Sequence, residues 1–146
     1  MGNQNNWKES LKYHEEENFW GCYIENMDLE IWIQGTESEI SPKHLLLMEV
    51  IFSDFERINQ IALKKLYMTL KHLENEELKI ETIHVFRDEH SVTAHPVDFM
   101  ITYCHSEFYD SKGNYVAVAR YTVKFMDIHH QRKPNPNAIA VEDWFV

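Results

Sequence analysis

At 146 residues the chain fits one domain that can bury a core without staples, and its 44% hydrophobic and 13% aromatic content argues against disorder. Its 24 acidic and 14 basic side chains leave a formal charge of −10, which argues against general nucleic-acid binding, since that needs phosphate-neutralising Lys and Arg. Cys22 and Cys104 lie far apart with no CxxC pattern, so neither a disulfide framework nor a structural zinc site is expected.

Residues 7–17, WKESLKYHEEE, predict a short helix with Trp7 and Leu11 on one side. Its Glu15-Glu16-Glu17 run falls where the helix dipole disfavours acids, so the helix is expected to fray. FWGCYI (19–24) and LEIWIQ (29–34) are strand-like and separated by ENMD, which fits a four-residue hairpin loop. In the second run Leu29, Ile31 and Ile33 alternate with Glu30, Trp32 and Gln34, so one face is apolar and the other mixed.

HLLLMEVIF (44–52) reads either as a buried third strand or, after Ser41-Pro42, as the start of a helix. SDFE (53–56) favours the strand, because Ser53 and Glu56 form a capping-box signature that would begin a helix there. From that point Phe55, Ile58, Ala62, Leu66, Leu70 and Leu73 form an apolar stripe, with Lys64, Lys65 and Lys71 elsewhere, predicting one long amphipathic helix over about 53–74.

Strands are expected again at 78–86, 99–109 and 114–128, the last two joined by the DSKG hairpin loop, and at 138–145. RDEHSVTAHPVD (87–98) reads as a polar loop, and FMDIHHQRKPNP (125–136) as a strand end followed by a connector that Pro134 and Pro136 hold extended. The expected architecture is a single α+β domain: a mainly antiparallel sheet of six to seven strands against one long helix.

Nine histidines raise the question of a metal site, but no HExxH or paired-cysteine spacing is present, and His129 and His130 would point to opposite faces of a strand. No metal and no cofactor is expected. Asp127 and His129, two apart on a strand, share a face, so the carboxylate could orient the imidazole for acid–base work. A polar pocket between helix and sheet, built from His105, Arg120, Asp127 and His129, is therefore the enzymatic or small-molecule-binding alternative. No nucleophile elbow or phosphate-cradling glycine loop accompanies it.

Trp32 faces away from Ile31 and Ile33, beside Glu30 and Gln34, and a tryptophan among acids on a sheet's second face makes a good interface anchor. Residues 1–40 hold nine acids against Lys8 and Lys12, so this end of the chain would suit a basic partner.

The aromatic hairpin FWGCYI/LEIWIQ, the capped amphipathic helix, the long hairpin strand and the aromatic C-terminus together resemble small acidic bacterial α+β proteins of the immunity type, found with polymorphic or contact-dependent toxins. The resemblance is one of pattern along most of the chain. It implies a non-enzymatic domain that binds a basic toxin domain tightly through acids. The residues expected at such a contact are Glu30, Trp32, Gln34, Glu37 and Glu39, on a monomer or homodimer. With no apolar run of membrane-span length and no signal-peptide core in MGNQNNWKES, the expected location is the cytoplasm.

Overall fold

The computed structural model describes residues 7–88, 97–109, 111–126 and 141–145. Alternation in FWGCYI and LEIWIQ produces β2 (Phe19–Ile24) and β3 (Leu29–Gln34), paired antiparallel with Ile24 opposite Leu29 and Phe19 opposite Gln34. The turn between them is a 3-10 turn, Glu25–Met27, closed by Asp28 at φ 49°. Asp28 accepts hydrogen bonds from Lys79 and Tyr23; the lysine holds its carboxyl below the usual range, and the bond to Asp28 raises the Tyr23 hydroxyl.

The N-terminal segment departs from the expected helix. Residues 7–10 form a 3-10 turn, and β1 (Lys12–His14) then pairs antiparallel with β2. Glu15, Glu16 and Glu17 lie exposed in the tight β1–β2 turn, where Asn18 takes φ 58°. A helix would have gathered these carboxylates at its negative end, whereas the turn leaves them in water.

HLLLMEVIF is helical, so the expected third strand is corrected. α1 (Pro42–Ser53) starts on Pro42 and buries Leu47, Met48 and Ile51, a helical spacing. The capping box does not form: the Ser53 hydroxyl closes α1 by donating to the Val50 carbonyl at 2.8 Å, and Asp54 breaks the helix at φ −127°, ψ 30°. α2 (Phe55–Thr69) follows with Ile58, Ala62 and Leu66 buried, and ends at Leu70 before a 3-10 turn, Lys71–Leu73. One long helix is thus two shorter ones.

The remaining strands are β4 (Lys79–Asp88), β5 (Val97–Tyr109), β6 (Tyr115–Met126) and β7 (Val141–Phe145). Among the described residues the sheet has seven strands in chain order, β1 to β7. Every neighbouring pair is antiparallel except β3 and β4, which run parallel. The sheet is thus mainly antiparallel, as expected, and its one parallel pair follows from the helices: α1 and α2 form the crossover that returns the chain to the sheet's starting end. The β5–β6 turn uses Gly113 at φ 82°, a left-handed conformation that glycine adopts without strain.

One face of the sheet carries the core. Leu29, Ile31, Ile33, Ile83, Val85, Phe99, Ile101, Tyr103, Val123 and Phe125 are buried there with Met48, Ile51, Ile58 and Leu66 of the helices. α1 lies over β3 and β4, and α2 over β6. The Tyr103 hydroxyl donates to Asn59 Oδ1 at 2.6 Å, tying β5 to α2, and burial raises its pKa strongly.

Candidate functional site

The helices lie on one side of the sheet, so the second face is the surface to examine. Register decides which side chains meet on it. On β3 these are Glu30, Trp32 and Gln34, the three that alternation sets opposite the apolar set. Gly21 of β2 lies opposite Trp32, and Phe19 opposite Gln34. β1 adds His14 opposite Phe19, and β4 adds His84 opposite Trp32.

The arrangement around Trp32 is specific. A Cβ added to Gly21 would sit 2.7 Å from Trp32 Cε3 and 2.9 Å from Cζ3, so the six-membered ring lies against the backbone of β2. His14 meets the same indole edge-on, with ring centroids 4.9 Å apart. The indole Nε1 donates towards Glu30 Oε2 at 3.4 Å, a long hydrogen bond. On the other flank, the His84 ring packs between Phe19 at 4.4 Å and Phe86 at 5.0 Å. Its Nε2 is buried and unbonded, and burial lowers its pKa from 6.5 to about 4, so the imidazole is neutral at pH 7.

The end of this face is acidic. Because Phe19 pairs with both His14 and Gln34, the β1–β2 turn and the chain leaving β3 lie at the same end of the sheet. That chain is a narrow loop: Gly35 bridges to Ile40, the Thr36 N–H donates to the Glu39 carbonyl at 2.8 Å, and the Trp20 indole N–H donates to the Thr36 carbonyl at 2.8 Å. Glu37 and Glu39 are exposed on it, as are Glu15, Glu16 and Glu17 on the neighbouring turn. Among the described residues none of these carboxylates is ion-paired.

Further along the same face, Thr102 and Thr122 are buried and share a hydrogen bond of 3.1 Å. The bulge between Ile80 and Thr82 admits Glu81, which takes Arg120 in a two-point pair at 2.7 and 3.1 Å. Arg120 is therefore a cross-strand partner on the second face. His105 belongs to the helix side, pairs with Glu76 at 3.1 Å and lies 6.4 Å from the Tyr121 ring. Register confirms the separation, since Arg120 is opposite Cys104 and His105 opposite Ala119. The two described members of the alternative pocket are thus on opposite faces and do not converge. Asp127 and His129, like the 129–136 connector, lie outside the described residues.

No protein-family model, curated protein or solved structure matches this chain.

Among the described residues no group of three His, Cys, Asp or Glu side chains is placed to hold a metal ion, and no helix is long and apolar enough to cross a membrane. Neither Cys22 nor Cys104 forms a disulfide; burial raises Cys22 to a pKa of about 11, which keeps it protonated and unreactive at neutral pH. An open groove of about 550 Å³ lies where α2 gives way to its 3-10 turn, lined by Lys64, Tyr67, Met68, Lys71 and Glu74. It is wide open to solvent and holds no converging reactive groups. His14, Phe19, Gly21, His84 and Phe86 are the residues of the second face that sequence reasoning missed. Gly21, a glycine inside an apolar strand, was the one available signal, since such a residue often marks a close approach.

Proposed function

We propose that this protein acts by binding a basic protein domain, as an immunity-type inhibitor of a toxin, through the second face of its sheet. The observation that carries the reading is the pairing of a fixed aromatic anchor, Trp32 on Gly21, with the unpaired carboxylates Glu15, Glu16, Glu17, Glu37 and Glu39 at the end of the same strands. Well-packed aromatics dominate interface energetics, and surrounding charge sets partner choice and the rate of encounter. The net charge of −10 adds long-range attraction for a basic domain. Such a protein would work in the cytoplasm, where its target would otherwise act.

The separation of His105 from Arg120 removes support from the pocket reading. The test is co-expression with the product of the adjacent reading frame, followed by size-exclusion chromatography with light scattering. The expected result is a stable complex whose Kd rises by about tenfold or more from 50 to 500 mM salt. Absence of a complex, or one indifferent to the paired substitution Glu37→Lys and Glu39→Lys, overturns the reading.

A further inference from the structure

Taking the second face as the partner surface, we propose that Trp32 and Glu30 form a seat for an arginine side chain of the basic partner. The geometry begins with the indole. Gly21 allows one ring face to rest on the β2 backbone, with Trp32 Cε3, Cζ3 and Cδ2 within 2.7 to 3.1 Å of where a Cβ would lie. The opposite ring face consequently points away from the sheet. His14 props the ring from the β1 side, limiting its freedom to swing. The seat is formed before any partner arrives, so little side-chain entropy is lost on contact.

Charge then selects the occupant. Glu30 Oε2 lies 3.4 Å from the indole Nε1, so a carboxylate flanks the ring at its edge. Glu30 is exposed and has no ion-pair partner among the described residues. Nor does any described cation sit on Trp32; the aromatic–cation contact among the described residues is Lys8 with Trp7, on the helix side. An aromatic face beside an unpaired carboxylate attracts a cation, and repels the anions that the neighbouring glutamates also exclude.

Between the two cationic side chains the shape favours arginine. A guanidinium is planar, so it can stack on the outer indole face while its N–H edge reaches the carboxylate. An ammonium is a point charge on a thin stem and satisfies one of these contacts at a time. Trp32 is only partly exposed, so a single arginine covers part of the ring and would bind weakly, and tight binding requires the arginine to belong to a larger surface.

The test uses the indole N–H resonances of Trp7, Trp20, Trp32 and Trp144 in a ¹H–¹⁵N spectrum, with Trp32 assigned by its loss in Trp32→Phe. Two probe peptides of equal charge are titrated, Gly-Arg-Gly-Arg-Gly amide and its lysine counterpart. The expected result is a selective shift of the Trp32 resonance, with half-saturation by the arginine peptide at a concentration roughly threefold or more below that of the lysine peptide. Glu30→Gln, an exposed change that leaves the core intact, weakens the arginine response by roughly fivefold. Equal responses to both peptides, or an unmoved Trp32 resonance, overturn the seat. A partner complex lost in the Glu37/Glu39 charge reversal but unchanged in Trp32→Leu also overturns the seat, and with it the aromatic anchor, while sustaining the binding of a basic partner through the acidic end. Arginine seating at Trp32 with no basic partner bound sustains the seat and removes the function.

Discussion

Lowering the pH should weaken this fold through one residue, His84. Its imidazole is packed between Phe19 and Phe86 with Nε2 buried and unbonded, so a proton there would be a buried charge without a counter-ion. The folded pKa is about 4, against 6.5 for the free side chain. Between those values the unfolded chain binds a proton that the folded chain refuses, so stability falls as the pH drops from about 6.5 towards 4 and levels off below it. A gap of about 2.5 units, at 1.36 kcal/mol per unit, sets a ceiling of roughly 3 kcal/mol, of which about 2 kcal/mol is lost between pH 7 and pH 5. Carboxylates also titrate near the lower end, so the measurement is a difference. Urea unfolding of the native chain and of His84→Leu at pH 7 and pH 5 should show the native chain losing about 2 kcal/mol more than the variant. If the two lose stability in parallel, His84 is solvated or bonded and the packing described for the second face is wrong.

Gly21→Ala places a methyl group 2.7 Å from Trp32 Cε3, so the indole must leave its position. The expected cost is about 1 kcal/mol, with a shifted Trp32 indole resonance, and it should vanish when Trp32→Ala is made alongside. Tyr103→Phe removes the buried hydroxyl that bonds Asn59 at 2.6 Å. Thermal unfolding should report a loss of about 1–2 kcal/mol. Arg120→Ala leaves half-buried Glu81 without its two-point partner, and should cost about 1–2 kcal/mol with reduced salt sensitivity in urea titrations.

Much of the sheet was readable because its strands obey period two. Leu29, Ile31 and Ile33 are all fully buried, and Glu30, Trp32 and Gln34 share the other face as their alternation required. The helical region was harder, because a continuous apolar run such as 44–52 suits a buried strand and a buried helix equally. Tertiary structure decided it: β3 and β4 run parallel, and a parallel pair needs a crossover long enough for α1 and α2. The first strand escaped notice since three residues, Lys12–His14, are too few for a period to show, and their sheet position depends on pairing with β2.

The same limit applies to the site. Trp32 stood out from its own strand alone. Its neighbours come from β1, β2 and β4, so Gly21, His14 and His84 meet it only once the register between strands is known. The Arg120–Glu81 pair likewise depends on a bulge in β4. Register also parts Arg120 from His105, two residues that strand membership alone allowed to converge.

The most direct measurement of the central claim is hydrogen–deuterium exchange on the protein alone and in complex with the product of the adjacent reading frame. Protection should concentrate in 12–21 and 30–39, with the helix segment 55–73 unchanged. Protection centred on α2 and its lysine-lined groove, with 30–39 unaffected, would contradict it.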